Sequence, residues 1–175
     1  MLNYIVLTAL GKNHPQIIEK CSKAIKESGC NIVDSRVIVL GQELSLSMML
    51  SGSWNAVAKL EHMLPSLKKQ LKIDFQFRRT DPPDKTGNGM PYAIEIVSMD
   101  RIGIVHDITD FLVNNNIDIQ DMFTNTYKTT HSGTPMFSLH ATIDIPADIS
   151  ISVIRGEFND FCDRLNLDAI MEPVK

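Results

Sequence analysis

The chain has 175 residues, of which 43% are apolar and 22% charged, and its formal net charge is -4. This is the composition of an ordinary globular protein, and the acidic balance argues against a protein that binds nucleic acid through a basic surface. The three cysteines, Cys21, Cys30 and Cys162, lack C-x-x-C spacing, so we expect neither a disulfide framework nor a zinc site. The N-terminus lacks the basic region of a signal peptide, and no apolar run approaches the roughly 18 residues of a membrane span. We therefore expect a cytoplasmic protein without a membrane partner.

In the first half, the spacing of apolar residues predicts six elements. The first helix is expected to have Asn13 or His14 as its cap, Pro15 in its first turn and Gly29 at its end. The predicted order is a strand at 4–10, a helix to about 28, strands at 31–40 and 44–51, a helix from 54 and a strand at 73–78. This is the βαββαβ order.

Two residues mark the second helix of this half. Ser53 precedes its apolar face and is expected to cap it. Pro65 lies inside the helical pattern and is expected to kink or interrupt the helix, because proline cannot donate the backbone hydrogen bond.

The second half repeats the first. Residues 13–35 align with residues 100–122 at a constant offset of 87, so that Ile17 falls on Ile104 and Asp34 on Asp121. Asn116 takes the place of Gly29, as asparagine often does at a left-handed helix end. The predicted elements are a strand at 92–98, a helix at 101–115, strands at 117–128 and 135–145, a helix at 150–165 and a strand at 167–173.

A segment rich in proline, glycine and charge separates the two copies. We predict a first domain at 1–79, a linker at 80–90 and a second domain at 91–175. The predicted fold class is α+β, with two tandem ferredoxin-like units whose antiparallel sheets carry helices on one face.

Several kinds of chemistry are disfavoured by the sequence. Gly103 is a lone glycine, so no phosphate-binding loop is expected, and no histidine lies in a metal-binding or catalytic motif. We therefore expect no catalytic residue, no metal and no cofactor. An RNA-recognition module would need aromatic residues on its sheet, but Phe123 and Phe137 are expected in the core and Tyr127 is isolated.

The turn between the first strand and the first helix of each half remains as a candidate site. A helix N-terminus can hold a carboxylate, and Gly103 would let a ligand approach the backbone. Asp100 or Asn13 could then receive an ammonium group, which together describes a free amino acid. The alternative is that Asp100 and Asn13 only cap their helices.

The motif DRIGIV at residues 100–105, in tandem βαββαβ units, resembles the ACT domain family. Within that family, the segments GCNIVDSRVIVLG and MMLSGSWNAV resemble transcriptional repressors of the glycine cleavage system. The resemblance implies a regulatory protein and not an enzyme. It also implies an amino-acid ligand, with glycine favoured, bound at an interface between paired units.

The resemblance also implies how such a regulator acts and where it binds its ligand. It would act through a LysR-type activator and not by binding DNA, and it could form a homo-oligomer. The ligand turn of the family falls on Asp100, Arg101, Gly103 and Ile104 in the second half, and on Asn13, His14, Pro15 and Gln16 in the first. Asp34 and Asp121 are secondary candidates. In the first turn, Gln16 replaces the glycine and would narrow the approach of a ligand to the backbone.

Two other functions stay open at this point. The chain could be an ACT-type regulatory subunit of an amino-acid metabolic enzyme, or an enzyme built on a ferredoxin-like scaffold. The enzyme would require Cys, His and Asp side chains that converge in space, and we expect no such cluster.

Overall fold

The computed structural model describes residues 2–82 and 89–174, and the chain divides into two compact units, Met1–Lys85 and Thr86–Lys175. Most of the predicted linker at 80–90 lies outside the described residues. Within the described ranges, every helix is too short or too polar to cross a membrane.

The first unit has the predicted element order. Its elements are β1 (Asn3–Lys12), α1 (Gln16–Ser28), β2 (Asn31–Leu40), β3 (Glu43–Gly52), α2 (Trp54–Leu71) and β4 (Asp74–Thr80). They form a four-stranded antiparallel sheet in the order β2-β3-β1-β4.

The second unit repeats this arrangement. Its elements are β5 (Met90–Met99), α3 (Ile104–Asn114), β6 (Asp118–Lys128), β7 (Pro135–Ile145), α4 (Ile151–Arg164) and β8 (Asp168–Pro173). The sheet order is β6-β7-β5-β8, so β6 and β8 are its edges. The α+β fold class of two βαββαβ units is confirmed.

Each unit has a core between one face of its sheet and its two helices. Alternate residues of the central strands are buried against the helices, while the residues between them lie on a second face, which we call the open face. The helices contribute equivalent residues to the two cores, since Ile17 and Ile104 are both at most 2% exposed. The predicted repeat therefore holds at the level of packing.

Three predicted helix boundaries are confirmed. Gly29 ends α1 in the left-handed conformation with φ 88°, and Asn116 has φ 55° after α3. Ser53 caps α2 by accepting a hydrogen bond from the N–H of Ala56. These positions follow from local backbone chemistry, which the sequence reveals directly.

Of the two effects predicted for Pro65, an interruption of the second helix does not occur. Helix α2 runs from Trp54 to Leu71 with Pro65 inside it. A proline inside a helix costs about 3 kcal/mol. Four leucines on the buried face of the helix outweigh that cost, since each contributes about 1.5–3 kcal/mol when fully buried. They are Leu60, Leu64, Leu67 and Leu71.

The prediction that Phe123 lies in the core is also wrong, because this side chain is 56% exposed, whereas Phe137 is buried. A β-bulge between Ile119 and Asp121 places one extra residue in β6. One extra residue reverses which side chains face the core. Beyond the bulge, Asp121 pairs with Thr142 of the open face, and Phe123 lies on that face as well.

The cysteines provide a test of the packed cores. Burial raises the pKa of the Cys21 thiol to about 11 and that of Cys162 to about 12. Because the thiolate is the reactive form, we expect both to resist iodoacetamide at pH 8 in the folded protein. Mass spectrometry of the peptides should find both residues modified within minutes once guanidinium has unfolded the chain. Equal labelling rates in the folded and unfolded protein would contradict the packing described here.

Candidate functional site

The turn between β5 and α3 is open at its centre. Gly103 adopts φ 92° and ψ -3°, and an added Cβ would meet no atom within 4 Å. Helix α3 begins at Ile104 and not at residue 101, and no side chain caps it. The interpretation of Asp100 as a helix cap is therefore wrong, because the left-handed turn at Gly103 separates Asp100 from the helix.

The first turn of α3 presents free hydrogen-bond donors. Asp107 is the first residue of α3 whose N–H is paired, and it donates to the carbonyl of Gly103 over 2.9 Å. Among the described residues, no acceptor pairs with the N–H groups of Ile104, Val105 or His106. Such a helix end carries a partial positive charge and can accept an anion.

A cleft of about 290 Å³ lies beside this turn. The end of β5, the turn itself and the link between α4 and β8 form its walls. The backbone of Asp100 is fixed by a 3.0 Å hydrogen bond from its N–H to the carbonyl of Pro135. The guanidinium of Arg101 donates to Asp107 over 2.8 Å. The lining residues are Ser98, Met99, Asp100, Arg101, Leu165, Asn166 and Leu167.

The equivalent turn of the first unit is more closed. His14 Nε2 lies 3.3 Å from the carbonyl of Leu71, so its ring bridges the turn and the end of α2. The N–H of Ile17 donates to the carbonyl of His14, and Pro15 has no N–H to offer. This turn therefore has fewer free donors than its counterpart beside Gly103.

The predicted caps of α1 are wrong. Pro15 occupies the capping position, and neither Asn13 nor His14 bonds to the helix through its side chain. The backbone N–H of Asn13 donates instead to the carbonyl of Gln42, because β1 continues to Lys12 and keeps the chain at the sheet. Gln16 is the first residue of α1 and is exposed.

The candidate residues of the second unit form two separate groups. Asp100 and Arg101 line the cleft. Gly103 and the start of α3 follow them along the chain but are not among the lining residues, and Ile104 is only 2% exposed and packs in the core. Asp121 of β6 pairs with Thr142 of β7, and Thr142 pairs in turn with Ala93 of β5. Ala93 is seven residues from Asp100 along the chain. At the rise of a strand, this separation is roughly 20 Å. Asp121 therefore does not belong to the cleft.

Asp34 occupies the matching place in the first unit, also after a β-bulge and on the open face. Its carboxylate accepts a hydrogen bond from the guanidinium of Arg36 over 2.6 Å. This hydrogen bond and one from the N–H of Ser35 hold the pKa of Asp34 below its ordinary value. Asp34 thus already has an internal cation as its partner.

Sequence reasoning missed a group of side chains on the open face of the second sheet. The rings of Phe123 and His140 stack with centroids 4.8 Å apart and an angle of 16° between their planes. His140 Nδ1 lies 3.6 Å from a carboxylate oxygen of Glu95. Asp121 lines the same shallow depression. Alternation places His140 and Glu95 on this face, but only the bulge brings Phe123 beside them.

Over residues 2–82 and 89–174, no group of three or more His, Cys, Asp or Glu side chains could hold a metal ion. What the second turn offers is a set of backbone donors, a carboxylate and a guanidinium beside an open cleft.

Comparison with known proteins agrees with this architecture. Residues 3–78 match the ACT domain family. A solved structure of a candidate glycine cleavage system transcriptional repressor superposes over 100% of this chain and 99% of its own, with a TM-score of 0.75 and 24% identity. An unknown protein from Galdieria sulphuraria superposes over the whole of both chains, with a TM-score of 0.80 and 19% identity. The first unit therefore matches an ACT domain, and the chain shares the fold of these two solved structures.

Two bacterial proteins are similar in sequence along most of the chain. The glycine cleavage system transcriptional repressors of Escherichia coli and Shigella flexneri are each 27% identical over 164 residues, which is 94% of this chain and 86% of theirs. These relatives are regulatory proteins and not enzymes.

The open turn predicts opposite effects of two Gly-to-Ala substitutions in the second unit. Gly103→Ala should destabilise the unit by about 1–2 kcal/mol, because an L-residue is strained at positive φ. Gly156→Ala, inside α4 with no atom near the new Cβ, should stabilise it by about 0.5–1 kcal/mol. Urea unfolding of both variants measures these differences. A stabilising Gly103→Ala would contradict the turn geometry.

Proposed function

We propose that this chain is an amino-acid-responsive negative regulator of transcription. It folds as two ACT-type units, and it resembles glycine cleavage system transcriptional repressors over 94% of its length. The protein acts on the glycine cleavage system through a DNA-binding activator of the LysR type. It does not bind DNA itself.

The observation that carries this proposal is the uncapped start of α3, which follows the cleft-lining residues Asp100 and Arg101 along the chain. Three free N–H groups and the helix dipole suit the carboxylate of an amino acid, and Gly103 leaves the backbone accessible. The carboxylate of Asp100 on the cleft wall suits the ammonium group. A free amino acid carries both charges in one small molecule.

The cleft also limits the size of the ligand. Its apolar walls include Leu165 and Leu167, and its volume of about 290 Å³ suits a small molecule. Glycine is the ligand we favour because the similar repressors are named for the glycine cleavage system. Serine is the next candidate, since it adds only one hydroxymethyl group.

The second unit is the one that we propose to bind the ligand. In the first unit, His14 and Pro15 occupy the corresponding turn, His14 Nε2 lies 3.3 Å from the carbonyl of Leu71, and the N–H of Ile17 is already paired. We therefore assign sensing to the DRIGIV turn and a structural role to its counterpart.

A regulatory subunit of an amino-acid metabolic enzyme is the alternative function. It would use the same cleft for the same ligands, so the cleft does not distinguish the two. The similarity to transcriptional repressors along both units favours the regulator of transcription.

Isothermal titration calorimetry with glycine, serine and larger amino acids tests the sensing role. Glycine should give saturable heat. Asp100→Ala should weaken binding by about 10- to 100-fold, since a hydrogen bond to a charged group contributes about 1.5–3 kcal/mol. Gly103→Val should weaken it further by obstructing the helix end. Asp110→Ala removes an exposed carboxylate from the same helix and should leave the heat unchanged. Absence of heat with every amino acid would refute the sensor.

Co-precipitation with the LysR-type activator of the glycine cleavage genes tests the partner. The activator should be retained by the immobilised chain, and the retained amount should change when glycine is added. The Gly103→Val variant should retain the activator but lose the response to glycine. Retention of an amino-acid metabolic enzyme in place of the activator would support the alternative function.

A further inference from the structure

The two units differ strongly in charge. Residues 1–85 contain twelve Lys and Arg against eight Asp and Glu, whereas residues 86–175 contain five against thirteen. The second unit is therefore acidic and the first is basic. A surface on the second unit is suited to a cationic partner and repels nucleic acid.

The stacked rings and their neighbours form one patch on the open face of this acidic unit. We call Glu95, Asp121, Phe123 and His140 the ring platform. Phe123 is 56% exposed, so the outer side of the stacked pair is available to a partner. Asp121 and Glu95 place two carboxylates beside the rings, and all four residues line one shallow depression.

The first unit shows which group complements such a carboxylate. Arg36 and Phe123 occupy equivalent positions in the two sheets. Arg36 of β2 pairs with Ser47 of β3, and Phe123 of β6 pairs with His140 of β7. An arginine therefore stands in the first unit where the second has Phe123. Asp34 holds that arginine at 2.6 Å, but among the described residues Asp121 forms no ion pair. The second unit keeps the carboxylate and has a ring in place of the cation.

We propose that the ring platform binds an arginine side chain presented by the basic surface of a partner protein. The guanidinium stacks on the exposed face of Phe123 and donates to Asp121, with Glu95 adding a second negative charge. Arginine fits better than lysine, because a planar guanidinium can stack on a ring and donate to a carboxylate through two N–H groups at once.

The occupant we assign is the DNA-binding activator, and this assignment rests on the proposed function. A DNA-binding protein neutralises phosphates with Lys and Arg, so it necessarily carries a basic surface. The platform offers that surface carboxylates and a ring, which complement an arginine in charge and in shape. A second copy of this chain, docking through its basic unit, is the competing occupant.

A peptide titration tests the chemistry without the activator. The full-length chain, labelled with ¹³C and ¹⁵N, is titrated with acetyl-Ala-Arg-Ala-amide and followed by the ring signals of His140 and Phe123. Saturable shifts in the millimolar range are expected with this peptide and not with its citrulline analogue. Asp121→Asn and Phe123→Leu should each weaken binding by about fivefold, and Glu43→Gln on the other open face should not. Equal responses to both peptides, or none, would overturn the proposal.

Binding of the activator is tested with substitutions at the same two positions. Asp121→Arg and Phe123→Leu should weaken binding of the activator by about tenfold while leaving the heat of glycine binding unchanged. Unchanged activator binding would overturn the platform as its contact. If the wild-type chain binds no activator, the proposed function fails, while the peptide titration still decides whether the platform recognises arginine. Self-association that Phe123→Leu abolishes, measured by ultracentrifugation, would identify a second copy as the occupant instead.

Discussion

Burial of one face of a four-stranded sheet against two helices is the constraint on which each unit depends. The central strands alternate between buried and accessible residues, and the helices bring Ile17 or Ile104 and their neighbours against the buried face. Because the helices occupy only one face, the other stays free of core packing. The same constraint places a strand-to-helix turn at the end of a central strand, where backbone donors are exposed.

The two units satisfy this constraint with different turns. A left-handed glycine at position 103 lets α3 begin without a side-chain cap, whereas Pro15 and His14 fill the first turn and connect it to the end of α2. The cores are equivalent but the accessible groups are not. The two units thus share their packing and differ in the chemistry of their turns, where packing places no demand on the side chains.

The open faces of the two units also differ. At one register position, the first unit forms the internal ion pair of Asp34 and Arg36, and the second unit has Phe123 stacked on His140. An exposed ion pair contributes little to stability. Exchange of the arginine for a ring therefore costs the fold little and changes what the surface can recognise. The proposed ligand turn and the proposed ring platform lie at different ends of the second sheet.

The sequence alone determined the element order, the repeat, the buried alternation and the helix ends at Gly29, Ser53 and Asn116, because each depends on local periodicity or on the backbone preference of one residue. It identified the DRIGIV turn as a candidate site but misassigned the caps, since a cap depends on where the helix begins. Only the tertiary structure decided which face Asp121 and Phe123 occupy. A single extra residue in β6 reverses the alternation, and a bulge follows from pairing with a distant strand, which the local pattern does not record.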